Sequence, residues 1–201
     1  MSETLIDLLR HGEPEGGVKF RGYRDDPLSA DGWAQMRDAT IAAGGWDVIV
    51  TSPLRRCAEF AAELGARHGL PVEAEERLKE IGFGAWEGLT AEQVSASAPE
   101  ALALFWRDPI QHPPPGGENL EVFGQRVVAG WHAMLQRHAG KKILLVCHGG
   151  VIRLIVAQIL SIPSRHLFRM QVPFAGAGRI RVRGHGTDAW AELVHLGGKM
   201  R

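Results

Sequence analysis

Two largely apolar segments of the chain, far apart in sequence, each end in a histidine that is followed by glycine. Residues 4–9 lead into Arg10 and His11, and residues 143–147 lead into His148. Short apolar runs that stop at turn-forming residues are typical of buried strands, and open α/β sheets bind ligands beyond the carboxyl ends of their strands. A histidine there, beside an arginine and unhindered glycine backbone, can offer an anion both a nucleophile and a positive charge. The two segments therefore predict two histidines that converge on one anion site.

Two further side chains have types that suit the same chemistry. Arg56 lies in the first turn of a helix predicted after a second strand, and Glu80 lies in a glycine-rich segment. Arginine can hold phosphate oxygens through two parallel hydrogen bonds, and the N–H groups at a helix start, such as the one that Gly149 opens, also favour phosphate. Neutral imidazole can attack phosphorus, and a carboxylic acid, either Glu80 or Glu87, can protonate a poor leaving group. These residue types predict hydrolysis of a phosphate ester.

The surrounding pattern of elements predicts an α/β fold. Strands are predicted at residues 4–9, 47–51, 72–75 and 142–147, and helices at 33–43, 52–68, 90–107, 118–138 and 150–160. Pro99 should interrupt the third of these helices, and residues 180–182 and 190–196 should form an antiparallel pair. Strands that alternate with helices indicate a mainly parallel central sheet with helices on both faces, which is a three-layer sandwich. A single domain spanning residues 1–201 is expected.

Composition limits the partners that we expect. Lysine plus arginine and aspartate plus glutamate each number 23, so the formal charge is zero, whereas a nucleic-acid-binding domain needs a basic excess. No apolar run is long enough for a membrane span, and the first residues lack the features of a signal peptide. The two cysteines have no metal-type spacing, so a reduced, cytoplasmic setting is expected. We expect no nucleic-acid or membrane partner, no metal ion and no cofactor, and a monomer or a homodimer.

Four segments of the chain resemble motifs of the histidine phosphatase, or phosphoglycerate mutase-like, superfamily. The Leu-Arg-His-Gly-Glu stretch at 9–13 is similar to the signature of that family. The resemblance implies that His11 is the phosphorylated nucleophile and that Arg10 binds phosphate. Residues 51–56 are similar to the Ser-x-Leu-x-Arg motif of the family, which implies a second phosphate-binding arginine at Arg56.

The other two segments supply the acid and the second histidine in this resemblance. Residues 78–88 are similar to the acid segment, which implies that Glu80 protonates the leaving group, and residues 146–153 are similar to the segment that holds the second histidine, here His148. The family also implies a phosphoglycerate mutase-like fold, metal-independent phosphomonoesterase activity and a small phosphate-ester substrate. The phosphate oxygens would then be held by Arg10, Arg56, His148 and the backbone of Gly149.

The long loop at 13–32 contains Arg21 and Gly22, which we take as further candidates for substrate binding. Arg21 could equally be a solvated residue. Arg55 is expected on a solvated helix face, and Glu118 is expected to be a charge at a helix start. The remaining histidines show no ligand spacing and are expected at the surface or in packing positions: His68, His112, His132, His138, His166, His185 and His195.

Finer features resemble the α-ribazole phosphatase branch of that family. They are the segments at 22–29, 83–88 and 114–118. This resemblance implies removal of the 5′-phosphate of α-ribazole 5′-phosphate during assembly of the cobalamin lower ligand. Alternatives are a phosphatase of broad or sugar-phosphate specificity, a phosphoglycerate mutase, and a catalytically idle module that binds a phospho-ligand. Three positions differ from residues common in the family and bear on the substrate: Pro14, Gly17 and Asn119.

Overall fold

A six-stranded sheet organises the part of the chain that the computed structural model describes, residues 3–184, 189–198 and 200. Its strands are, in chain order, β1 (Glu3–Arg10), β2 (Val48–Thr51), β3 (Val72–Ala74), β4 (Lys142–Cys147), β5 (Ala177–Arg183) and β6 (Trp190–Leu196). Their spatial order is β3-β2-β4-β1-β5-β6. The strands from β3 to β1 are parallel, and β5 and β6 continue the sheet in antiparallel pairing. The predicted parallel core and antiparallel pair are confirmed.

Helices cover both faces of this sheet. The α-helices are α1 (Ala30–Thr40), α2 (Arg55–His68), α3 (Ala91–Ser97), α4 (Pro99–Arg107), α5 (Leu120–Arg137) and α6 (Gly149–Ile159), and short 3₁₀ helices lie at Glu76–Leu78, Gly84–Trp86 and Ser164–Arg169. Residues of α1 and α2 pack with Leu9 and Val146 in one apolar cluster, and residues of α3 to α6 pack with Leu8 and Leu145 in another. Neighbouring strand residues point to opposite faces, so a strand covered on both faces is apolar throughout. The predicted three-layer sandwich is confirmed.

The helix after β2 starts later than predicted. Its first residue is Arg55 rather than Ser52, and no side chain caps it. The Ser52 hydroxyl is engaged elsewhere, 2.7 Å from Nε2 of His148. By contrast, the interruption predicted at Pro99 is confirmed, because that proline is the first residue of α4 and separates it from α3.

Asn119, one of the positions that differ from the family pattern, caps α5. Its side chain accepts hydrogen bonds from the N–H groups of Glu121 and Val122. Asparagine and serine are about equally effective at this position. Asn119 therefore preserves the start of α5.

The register of β1 and β4 sets the positions of the two histidines. Arg10 pairs with Cys147 at the carboxyl ends of these strands, and the N–H of His11 donates to the carbonyl of Cys147. Neighbouring strands lie about 4.8 Å apart, so the residues that follow them leave the sheet side by side. The ring centroids of His11 and His148 are 5.2 Å apart, as the two apolar segments predict.

Gly12 allows the chain to leave β1 directly against the start of α1. A Cβ atom at Gly12 would lie 2.2 Å from the carbonyl oxygen of Gly32. That neighbour is backbone and cannot rotate away as a side chain could. The carbonyl of Gly12 is also the acceptor for Nδ1 of His11. Because the packing against Gly32 fixes the backbone of Gly12, it also fixes the acceptor that orients the imidazole ring of His11.

We expect Gly12→Ala to lower the midpoint of thermal unfolding by about 3–10 °C, since overpacking typically costs about 1–3 kcal/mol. Gly44→Ala is the matched control, because a Cβ atom there meets no heavy atom within 4 Å. Circular-dichroism melts of both variants and the parent protein give the comparison. A Gly12→Ala midpoint equal to that of the parent would contradict the prediction.

Candidate active site

His11 follows β1, and its environment keeps one ring nitrogen available for attack. Nδ1 lies 2.7 Å from the carbonyl oxygen of Gly12, which can only accept, so Nδ1 carries the proton and Nε2 keeps its lone pair. Burial, together with the positive charges of Arg10 and Arg56, holds the pKa of His11 well below its ordinary value of 6.5. The ring is therefore neutral near pH 7.

His148 is fully buried at the start of α6. Its Nε2 lies 2.7 Å from the Ser52 hydroxyl, and the Cys57 sulfur lies 3.8 Å from both ring nitrogens. Burial, with Arg56 and His11 close by, lowers the pKa of His148 well below its ordinary value. The sequence predicts Ser52 only as the first residue of a helix and does not indicate this contact, although Ser52 directly follows a strand at the same sheet edge.

Arg10, the last residue of β1, brings a positive charge to the histidines. Its Nη1 donates to the carbonyl of Val172, and its guanidinium carbon lies 4.1 Å from the ring centroid of Phe174. Burial lowers the pKa of Arg10 to about 10, so it remains a cation near pH 7. Its buried Nε has no hydrogen-bond partner among the described residues. An unsatisfied buried donor is costly, and an anionic ligand would relieve that cost.

Arg56 is fully buried in the first turn of α2 and is held by backbone alone. Its Nη1 and Nη2 donate to the carbonyls of Arg24 and Gly22, each at 2.8 Å. Its Nε also lacks a partner within the described part of the chain. The adjacent Arg55 instead pairs with Glu59 at the exposed surface, which confirms the solvated position predicted for it.

Glu87 holds the loop segment that in turn holds Arg56. Its carboxylate accepts hydrogen bonds at 2.9–3.1 Å from four backbone N–H groups, those of Gly22, Tyr23, Arg24 and Phe83. Both carboxylate oxygens are thus engaged by the loop. These contacts give Glu87 a structural role and favour Glu80 as the candidate acid.

Glu80 is buried against the start of α6. Its Oε2 accepts a hydrogen bond from the N–H of Gly150 at 2.9 Å, and its Oε1 accepts one from Ile81 at 3.0 Å. A Cβ atom at Gly150 would lie 2.2 Å from Oε1 of Glu80, so only glycine permits this contact. The backbone carbonyl of Glu80 accepts from Arg126 at 2.9 Å. These contacts fix the carboxyl group against Gly150, which lies two residues after His148 in the sequence.

Arg21 is a buried support of its own loop. Its Nε pairs with Asp26 at 2.7 Å, and its two terminal nitrogens donate to the carbonyls of Gly17 and Glu15. The solvated alternative for Arg21 is wrong, because these loop acceptors draw the guanidinium inward, where its side chain is only 5% exposed. Contact between Arg21 and a substrate stays a prediction.

The two candidate glycines occupy different positions. Gly22 donates its N–H to Glu87 and offers its carbonyl to Arg56, so both of its backbone groups serve the protein. Gly149 is the first residue of α6, where an N–H group has no acceptor within the helix. Gly149 is therefore the better placed of the two to donate to an anion.

Other predicted positions are consistent with structural roles. Glu118 precedes α5 and pairs with Arg126 at 2.6 Å. Among the remaining histidines, His185 lies outside the described residues, and the others are exposed or half-buried as predicted. The described residues contain no group of three or more His, Cys, Asp or Glu side chains that could hold a metal ion. Within the same ranges, none of the helices combines the length and apolarity that crossing a membrane requires.

The arrangement matches the needs of phosphoryl chemistry. It combines a neutral imidazole with a free nitrogen, two buried guanidinium groups, a helix start and a buried carboxyl group. Guanidinium groups and helix N–H groups bind phosphate oxygens. The neutral ring of His11 can attack a phosphorus atom held by them, and Glu80 can exchange a proton with an oxygen nearby.

Comparisons with known proteins agree with this geometry. The family model described as histidine phosphatase superfamily (branch 1) matches residues 6–192. A glucosyl-3-phosphoglycerate phosphatase of Mycolicibacterium vanbaalenii is 35% identical over 96% of this chain and 85% of its own length. A 2,3-bisphosphoglycerate-dependent phosphoglycerate mutase of Brucella melitensis is 30% identical over 96% of this chain and 99% of its own length. The α-ribazole phosphatase structure from Shigella flexneri superposes with a TM-score of 0.80 at 26% identity, covering 96% of each chain.

We expect Glu87→Ala to lower the free energy of unfolding by about 2 kcal/mol or more, because four backbone N–H groups lose a charged acceptor. The KM for phosphate esters should rise as well, since Gly22 and Arg24 would no longer hold Arg56 in place. Glu100→Ala, at an exposed position, is the matched control. Urea denaturation and steady-state kinetics check both effects. Wild-type stability and KM in Glu87→Ala would show that the loop is held by other contacts.

Proposed function

Because the chain belongs to branch 1 of the histidine phosphatase superfamily, we propose that it hydrolyses a small phosphate monoester with His11 as the nucleophile. The observation that carries this proposal is the state of that ring. Nδ1 donates to the carbonyl of Gly12, so the lone pair of Nε2 is free. Arg10 and Arg56 are close enough for their charges to lower the pKa of His11, and the Nε atom of each lacks a hydrogen-bond partner among the described residues. Nucleophile and anion donors are thus held together in one buried place.

In this proposal the first step transfers the phosphoryl group to His11. Nε2 forms a bond to phosphorus while the bond to the ester oxygen breaks. Arg10, Arg56, His148 and the N–H of Gly149 would hold the three non-bridging oxygens. Fixed donors aimed at developing charge are usually the largest single contribution to such catalysis.

Glu80 completes the proton balance in this proposal. Its protonated carboxyl group gives a proton to the leaving oxygen, and the resulting carboxylate then removes a proton from water. That water attacks the phosphohistidine, the phosphorus–nitrogen bond breaks, and His11 and protonated Glu80 are restored. The hydrogen bonds from Gly150 and Ile81 fix the carboxyl group beside the helix start. Because they stabilise its anionic form, they support its role as the base that removes a proton from water.

Two esters are supported as the natural substrate. The 35% identity to a glucosyl-3-phosphoglycerate phosphatase supports a glycosylated phosphoglycerate, and we propose this as the first candidate. α-Ribazole 5′-phosphate is the second, supported by the motifs at 22–29, 83–88 and 114–118 and by the Shigella flexneri structure. The cysteines, free and buried at Cys57 and Cys147, suit the reducing cytoplasm that we propose as its location.

The test of the nucleophile is direct. Rapid quench with substrate should trap acid-labile, base-stable phosphate on His11, identified by mass spectrometry of the labelled peptide. His11→Ala should lose nearly all turnover, because no other described residue in the pocket has a free nucleophilic nitrogen in that position. His132→Ala, at an exposed site on α5, is the control and should keep wild-type kcat. Wild-type kcat in His11→Ala would refute the mechanism.

The role of Glu80 predicts a dependence on the leaving group. Glu80→Gln should slow hydrolysis of an alkyl phosphate by about 10²-fold, because an alkoxide departs poorly without a proton. It should slow p-nitrophenyl phosphate much less, because nitrophenolate needs no proton. Glu87→Gln should slow both esters by the same factor, since it acts through the loop. Equal losses on both esters in Glu80→Gln would show that Glu80 only positions the phosphate.

A further inference from the structure

Arg153 is a third arginine near this pocket that has no assigned role. It lies in α6 one turn beyond Gly149, and long helical side chains lean toward the N-terminus of their helix. Its Nε donates to the carbonyl of Met170 at 2.7 Å, and its guanidinium carbon lies 5.8 Å from the ring centroid of Phe168. These contacts fix the guanidinium over the first turn of α6 instead of leaving it extended in solvent.

The guanidinium groups of Arg153 and Arg10 lie close together. A Cβ atom at Gly149 would lie 3.1 Å from Nη1 of Arg153 and 3.4 Å from Nε of Arg10. Burial is the main cause that lowers the pKa of Arg10, and Arg153 lowers it further while Glu80 opposes both. Two like charges held this near to one another favour an anion in the space they share.

Arg153 also differs from most other arginines of the described ranges. Those in ion pairs with carboxylates are Arg21, Arg24, Arg37, Arg55, Arg67, Arg77, Arg126, Arg137, Arg179, Arg181 and Arg183. Those that are exposed without such a pair are Arg107, Arg165 and Arg169. Within residues 3–184, 189–198 and 200, the buried or half-buried arginines without a carboxylate are therefore Arg10, Arg56 and Arg153.

The phosphate alone does not balance the charges of the pocket. A phosphomonoester dianion carries two negative charges, which Arg10 and Arg56 match. The histidines are neutral, and the proposed reaction begins with Glu80 protonated. Burial lowers the pKa of Arg153, and Glu80 is the group whose charge raises it against that effect. While Glu80 is protonated in the proposed reaction, the positive charge of Arg153 therefore lacks that counter-charge, and a desolvated charge without a partner is unfavourable.

We propose that Arg153 binds a carboxylate on the leaving group, next to the ester oxygen, and so determines which esters the enzyme prefers. The inference rests on the proposed function, because it requires the phosphate to lie against Arg10 and His11. Glu80, the proposed donor to the leaving oxygen, is bonded to the N–H of Gly150, and Arg153 leans over the same turn. Its Nη1 and Nη2 make no hydrogen bond to the described residues, and a guanidinium can bind both oxygens of a carboxylate.

The test compares two esters that differ in this one group. In 3-phosphoglycerate a carboxylate replaces the terminal hydroxymethyl group of sn-glycerol 3-phosphate. We expect the parent enzyme to have a higher kcat/KM for 3-phosphoglycerate. Arg153→Gln should reduce the ratio of the two kcat/KM values by about 10-fold or more, since hydrogen bonds to charged groups are the strong ones. Arg153→Lys should retain part of the preference, and the exposed control Arg165→Gln should retain all of it.

Three outcomes would overturn the inference. An equal loss on both esters in Arg153→Gln would show that Arg153 serves the transferred phosphate. A parent enzyme with equal kcat/KM for both esters would also overturn it, and this measurement needs no variant to fold. Absence of turnover even with p-nitrophenyl phosphate, together with no phosphohistidine, would instead refute the proposed function and the inference with it.

Discussion

The parallel pairing of β1 with β4 is the constraint on which the rest of the site depends. It lies in the middle of the sheet, and its register aligns Arg10 with Cys147. One strand end then delivers His11, and the other delivers His148 and the start of α6. A shift of this pairing by one residue would turn every side chain of a strand to the opposite face. The apolar clusters on both faces therefore protect the alignment of the catalytic candidates.

Backbone carbonyls, rather than carboxylates, hold the arginines of the pocket. Arg56 is bound by the carbonyls of Gly22 and Arg24, and Arg10 by that of Val172. A carbonyl dipole orients a guanidinium without cancelling its charge, whereas an ion pair would consume the charge that an anion needs. The carboxylate of Glu87 does not bind Arg56 itself. It binds the N–H groups of Gly22 and Arg24, the loop residues whose carbonyls hold Arg56. The pocket thus stays positive while its buried cations remain oriented.

The sheet, its helices and the convergence of His11 with His148 could be predicted, because apolar runs and the residues at their ends are local patterns. The contact of Ser52 with His148 and the hydrogen bonds of Glu87 to the loop could not be predicted from the sequence. Both depend on segments that are distant in sequence and that meet through single hydrogen bonds, which leave no periodicity. The late start of α2, at Arg55, could not be predicted for the same reason, because the Ser52 hydroxyl contacts the distant His148. The chemical roles of the pocket residues stay predictions until kinetics tests them.

The same central pairing has a consequence for biosynthesis. β1 is synthesised before every other strand of the sheet, and both strands that flank it, β4 and β5, begin more than 130 residues further along the chain. At a synthesis rate of about 5–20 residues per second, both edges of β1 stay unpaired for roughly 10–30 s. An apolar strand in that condition is a template for aggregation. We therefore expect both edges of β1 to need cover, from a chaperone or from local collapse of the nascent chain, until β4 and β5 have been synthesised.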